Sequence, residues 1–240
     1  MTTQRGFTLI EMAIVLVIIT ILIGGLVMPL SAQIQARRIA ETKKTLEEAR
    51  DAVLGYALTH TSTTTPGRPY LPCPDTDDNG DEDRNVSGDC VGADGWFPWI
   101  DLGTAPQDAW GNRLHYSIEN REYADSSKGI PDSAVFTPPY AGLSLKRICT
   151  SSACTTSIAE HLPVVVFSHG PNGWDALNAN GNKLAAPTSA DELENTDADS
   201  DFVSRTPSKA GDASGEFDDL VVWISDGLLR SRVCPSGGCP

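Results

Sequence analysis

The stretch RGFTLIEMAIVLVIITILIGG, Arg5 to Gly25, opens an apolar run that continues to Leu30. Of the 24 residues from Phe7 to Leu30, only Glu11 is ionisable. A helix that crosses a bilayer needs about 20 apolar residues at ~1.5 Å rise each, so the run is long enough to span with some tilt. A secretory signal is the competing reading, but its apolar core is shorter and ends at a small-residue cleavage site. Gly24, Gly25 and Ala32 imitate such a site weakly, and the lone Arg5 makes a thin basic region. The sequence therefore predicts a membrane helix over 7–30. Glu11 is costly there: an acid at the centre of a span costs about 2.5–3.5 kcal/mol on insertion scales, and less near its end. Such a carboxylate either reaches the headgroups or pairs with a positive group on a neighbouring copy. A cut after Gly6 would free the α-amino group of Phe7 at a matching depth.

The uninterrupted series Gly6, Phe7, Thr8, Leu9, Ile10 and Glu11, followed by its apolar run, resembles the N-terminus of type IV prepilins and type II secretion pseudopilins. The resemblance covers the first thirty or so residues. It implies a leader, 1–6, removed after Gly6 by a prepilin peptidase that also methylates Phe7. It gives Glu11 the task of attracting the N-terminal amine of an adjacent subunit during filament assembly. The partners implied are that peptidase, other pilin or pseudopilin subunits and an inner-membrane assembly platform. The implied location is a single-pass inner-membrane protein with its N-terminus in the cytoplasm and its head in the periplasm, exportable in a surface filament. Arg37, Arg38, Lys43 and Lys44 follow the helix, against the rule that places positive charge on the cytoplasmic side. The leader pattern is the stronger signal and sets the orientation.

Beyond the membrane, residues 31–60 read as a continuing amphipathic helix. Ile39, Leu46, Ala49, Val53 and Ala57 recur at spacings of one helical face. Pro29 should kink or locally melt the helix, and TSTTTPG at 61–67 ends it. Residues 61–240 suit one head domain. Its strand-like runs are RLHYSI (113–118), LPVVVFS (162–168) and DLVVWIS (219–225), with turn signals between them. Pro187 to Glu216 is rich in Asp, Ser, Ala and Gly and reads as an extended loop. The fold class expected is α+β and pilin-like: a long N-terminal helix packed on an antiparallel sheet with long disulfide-bonded loops.

Six cysteines, Cys73, Cys90, Cys149, Cys154, Cys234 and Cys239, all follow the helix, as suits an oxidising compartment. Close spacing favours Cys149–Cys154 and Cys234–Cys239 as local loops and leaves Cys73–Cys90, among the many pairings six cysteines allow. The spacings do not resemble the CxxC pairs of zinc sites. Between the first two cysteines lies DTDDNGDED, 75–83. Asp75, Asp77, Asn79 and Asp81 alternate around Gly80 like the first half of a Ca²⁺ loop, which needs hard oxygens at alternate positions and a glycine at the sharp turn. The twelfth position is Val86 instead of the usual Glu, and Asp83 or Asp89 is left to supply that oxygen. A solvated acidic loop fits the same residues. No cofactor is required; calcium would be structural, folding the Cys73–Cys90 loop. The runs YLPCPDTDDNGDED, GWFPWIDLG and DAWGNRLHYSI are also similar to heads of larger pilin-like proteins, and DAWGN to the approach to the sheet in the major pseudopilin. Trp96, Trp99 and Trp110 read as core or loop anchors.

No residue set emerges for catalysis. His60, His115, His161 and His169 are the only histidines, and Ser168 and His169, adjacent in a strand, would point to opposite faces. A GxSxG elbow, an HExxH helix and a phosphate-binding loop are all absent from the sequence. A net charge of −14 repels phosphates at long range, so no nucleic-acid partner is expected. Two classes stay open: a structural minor pilin or pseudopilin, and a filament-tip module whose head binds a surface or a substrate of type II secretion.

Overall fold

The computed structural model describes residues 6–119, 122–131, 145–234 and 239, with the side chains of 24–29 outside that set. The leader expected at 1–6 is thus described only at Gly6. Elements run in the order α1 (Leu9–Thr59), β1 (Asp94–Trp96), α2 (Trp99–Leu102), β2 (His115–Ile118), β3 (Lys146–Cys149), β4 (Ser157–Leu162), β5 (Val164–Ser168), α3 (Ala190–Glu194), β6 (Asp201–Val203), β7 (Leu220–Ile224) and α4 (Asp226–Val233). Two compact units divide the chain, Met1–Ala40 and Glu41–Pro240.

In the first unit α1 carries its apolar residues in the open; Ile10, Leu16, Ile21 and Ile34 are exposed. Among the described residues no helix is long and apolar enough to cross a membrane. The described side chains of the apolar run stop at Ile23 and resume at Leu30, so the span expected over 7–30 is an inference from the sequence. The helix assignment is continuous through residue 29, without the expected melting at Pro29. A proline removes one N–H donor, and in a helix of 51 residues that single loss does not interrupt the ladder.

In the second unit three layers share two hydrophobic cores. The last turns of α1 bury Leu46, Ala49, Val53 and Ala57, spaced three, four and four residues apart. Ile39, placed on the same face by its spacing, is only half-buried. Strands β1, β2, β5 and β7 form one antiparallel sheet in that order, with Tyr116 opposite Val166 and Val166 opposite Val222. Strand β5 is buried along its whole length, which explains its unbroken apolar run VVVFS. Alternation then divides its side chains. Val164 and Val166 join the α1 residues in one core, whereas Val165 and Phe167 join Ile148, Leu162 and Phe202 in the other.

That second core belongs to a sheet the sequence did not announce, ordered β4-β3-β6, in which β3 and β6 run parallel. The expectation of a single antiparallel sheet is corrected accordingly. The stretch 187–216 is likewise more than a loop, since it holds α3 and β6 and buries Asp191, Glu192, Asn195 and Phe202. Its polar composition hid it because only Phe202 and Val203 of β6 face the core, and pairing with β3 settles the strand. The bonded cysteines are Cys73–Cys90, Cys149–Cys154 and Cys234–Cys239.

Candidate functional site

At the start of α1, Thr8 and Glu11 hold each other. The backbone N–H of Thr8 donates to Glu11 Oε2 at 2.8 Å, its hydroxyl donates to the same oxygen at 2.7 Å, and the Glu11 N–H donates to Thr8 Oγ1 at 3.3 Å. This is a capping box, in which N-cap and third-residue side chains satisfy two orphan donors reciprocally. It explains why the helix begins at Leu9 and not at Phe7. The Thr-x-x-Glu spacing was readable in the sequence, where Glu11 alone had drawn notice. The helix N-terminus also favours a carboxylate at this point, and Glu11 is exposed, four residues after Phe7. Gly6 and Phe7 precede the helix and are exposed as well.

The acidic loop at 75–83 is a chain of side-chain-capped turns. Asp75, fully buried, accepts from the N–H of Asp77 at 3.2 Å and of Gly80 at 2.9 Å. Asp77 accepts from Asn79 at 3.2 Å, and Asn79 Oδ1 from Asp81 at 2.7 Å. Asp83 accepts from the N–H of Thr76 at 2.6 Å. Gly80 has φ +96°, and a Cβ there would sit 2.5 Å from the Trp99 ring, so the turn requires glycine. The structure gathers Asp75, Asp77 and Asp83 with carboxylate oxygens within 4.8 Å of one another; Asp81 is not in this group. Burial pushes the Asp75 carboxyl upward, against the four backbone N–H groups that favour its charge. Beside the loop, Glu82 accepts from Tyr56 OH at 2.6 Å, Cys73 N–H at 2.8 Å and Arg84 Nε at 3.0 Å. Arg84 in turn donates to the carbonyls of Leu71, Gly88 and Ala124. The Cys73–Cys90 loop is thereby tied to α1 through Glu82. Trp99 lies under the Arg113 guanidinium, 3.8 Å from its carbon, and Trp96 meets His115 edge-on; both rings, like Trp110, are half-buried anchors.

A second group of acids escaped the sequence reading. Glu192 of α3 and the pair Asp218–Asp219, which leads into β7, bring carboxylate oxygens within 4.8 Å of one another. Glu192 is 2% and Asp219 6% exposed. Asn172 links them, its side-chain amide donating to Glu192 Oε1 at 2.9 Å and its N–H to Asp218 Oδ2 at 3.2 Å. Asn195 donates to Asp219 Oδ2 at 2.7 Å. Burial, and then the Glu192 charge, push the Asp218 carboxyl up to about 7. Burial likewise raises Asp219 well above the ordinary carboxylate range. The available signal was the tandem Asp218–Asp219 before a strand, but its partner Glu192 lay in the stretch read as loop.

Ser168 and His169 do not meet as a dyad. The Ser168 hydroxyl donates to Asp108 at 2.6 Å, and Asp108 also accepts from the N–H groups of Trp110 and Asn112, so the serine closes the DAWGN turn. His169, 1% exposed, packs against Phe167, His115 and Trp96. Burial pushes its imidazole down to about 3, with the neighbouring His115 adding to the effect.

Residues 1–27 match the family model described as the prokaryotic N-terminal methylation motif. No curated protein and no solved structure matches the chain. The matched residues include Gly6, Phe7 and Glu11. A motif of this kind supports a type IV pilin-like or pseudopilin subunit in general, a class that is structural rather than catalytic. It implies processing by a prepilin peptidase and assembly with other pilin-like subunits.

Proposed function

We propose that the chain is a minor pilin or pseudopilin: a structural subunit of a type IV pilus-like filament, cut after Gly6, methylated on Phe7 and assembled through α1. The observation that carries this reading is the methylation motif over 1–27. The apolar run Phe7–Leu30 holds the subunit in the inner membrane before assembly, with the head in the periplasm. Glu11 supplies the charge that draws the Phe7 amine of a neighbouring subunit, because two opposite charges in a poorly solvated bundle attract far more strongly than in water. The inner-membrane assembly platform is the remaining partner. A structural Ca²⁺ held by Asp75, Asp77 and Asp83 belongs to the same proposal, as a brace for the Cys73–Cys90 loop; Asp83→Asn should then remove any stabilisation that Ca²⁺ gives this loop.

The deciding experiment is mass spectrometry of the N-terminal peptide from membranes and from sheared surface filaments. N-methylated Phe7 in both fractions supports processing and a place in an extracellular fibre. Methylated Phe7 in membranes alone points to a short pseudopilus. An intact Met1, or a start near Ala32, overturns the reading.

A further inference from the structure

We propose that Glu192, Asp218 and Asp219 form a binding site for a hard divalent cation of the calcium class. Oxygens held ~2.4 Å from a Ca²⁺ ion on opposite sides of it lie about 4.8 Å apart, and the three carboxylates present oxygens within 4.8 Å of one another. Glu192 Oε2 and Asp218 Oδ1 are both inaccessible to solvent and have no hydrogen-bond partner among the described residues, whereas Glu192 is 98% buried as a whole, being 2% exposed. A buried carboxylate oxygen left unpaired is expensive.

The other oxygens of the group already have partners. Asn172 holds Glu192 Oε1 and Asp218 Oδ2, the Asp218 N–H also donates to Glu192 Oε1 at 3.2 Å, and Asn195 holds Asp219 Oδ2. Glu192 and Asp218 are thus each held at one oxygen by a neutral donor, with the other oxygen unpaired. Among the described residues, protein cations do not complete the set. Arg205, whose charge acts on Glu192, is bound to Asp191 at 2.6 Å, to Ser208 and to the carbonyls of Ser214 and Gly215. Glu216 adds further negative charge nearby. An all-oxygen, strongly anionic group selects a hard cation such as Ca²⁺ over softer metals. The bound ion would clamp α3 to the start of β7 and so fasten the long segment between β5 and β7 onto the head.

The test uses the purified full-length chain in detergent, melted with EDTA, Ca²⁺ or Mg²⁺. Ca²⁺ at a hundredfold excess over its Kd should raise Tm by about 5 °C or more. Glu192→Gln and Asp219→Asn should abolish the rise, and Asp83→Asn in the other acidic loop should leave part of it in place. No shift with either cation, or a shift that vanishes in Asp83→Asn and persists in Glu192→Gln, overturns the proposal. Should the cluster variants fail to fold, Tb³⁺ luminescence decides on the native sequence. Trp174 lies on the Asn172 turn, bonded to Asn172 and Glu216. Tryptophan-excited Tb³⁺ emission that Ca²⁺ displaces and Trp174→Phe dims supports the site; absent emission, or emission indifferent to Trp174→Phe, overturns it.

Discussion

Replacing Glu11 by alanine would remove a charge and a helix cap together, because the same carboxylate accepts both bonds from Thr8. Glutamine separates the two, since it can complete a capping box without carrying charge. If charge pairing with a neighbour's amine governs assembly, Glu11→Gln should fail to enter filaments as completely as Glu11→Ala, while both insert in the membrane. Equal incorporation of the glutamine variant and the native chain in sheared filaments would leave Glu11 as a cap only. His169 offers a second residue-scale measurement. Its imidazole titrates at about 3 in the folded chain against an ordinary 6.5. A depressed histidine adds nothing to the pH dependence above 6.5, and destabilises the fold progressively as the pH falls toward 3. Between pH 7 and pH 4 the loss is about 3 kcal/mol. Because raised acids such as Asp218 titrate over the same range with the opposite sign, the loss is read as the difference between the native chain and His169→Phe in urea melts at both pH values. Glu11 and Thr8 were both legible as letters, and their bond follows from helix geometry. His169 was legible only as a histidine, since its burial depends on the distant β2 and on Trp96.

At the scale of elements, α1 shows what a periodic pattern can and cannot specify. Leu46, 1% exposed, faces the core, whereas Leu58, 59% exposed, lies on the opposite side. Leu46→Ala should therefore cost about 2–5 kcal/mol and Leu58→Ala under about 0.5, read from the midpoint of a denaturant melt. The face was readable because the core supplied the same spacing over several turns. Strands β2, β5 and β7 were readable because each is a compact apolar or alternating run between turn residues. β4 was not: SIAEHL is an exposed edge with a single buried residue, and nothing in such a stretch alternates. α3 and β6 owe their existence to partners, β6 to β3 and α3 to the bonds Asp191 makes with Ser152 and Arg205. Tertiary pairing overrides a weak local pattern, and no window of sequence contains both partners.

For the whole molecule, stability rests on two cores and three covalent loops. Cys73 and Cys90 lie in the larger core and close a span of 17 residues around the acidic loop. Opening it should cost about 3 kcal/mol through the freedom returned to the unfolded chain. A Cys73→Ala, Cys90→Ala double variant should thus melt well below the native chain, although Arg84 still gathers Leu71, Gly88 and Ala124. A melt unchanged by the double substitution would mean that the Arg84 and Glu82 contacts hold the loop unaided. The charge of −14 was available from composition, but the gathering of acids into three carboxylate groups among the described residues depends on the fold.

The parallel pairing of β3 with β6 also sets a timetable. Arg147 must find Asp201 and Cys149 must find Val203 across more than fifty residues, and that search includes the laying down of β4, β5 and α3. Hairpin-like neighbours close quickly, whereas strands joined only through distant chain pay their loop entropy before any contact rewards them. The smaller sheet closes only once such loops are gathered, as does the larger one, whose β5 and β7 pair across 52 to 60 residues of chain. Until the smaller sheet closes, Val165 and Phe167 on the far side of β5 stand bare to water, and the half-made head is a sticky particle for as long as that wait lasts.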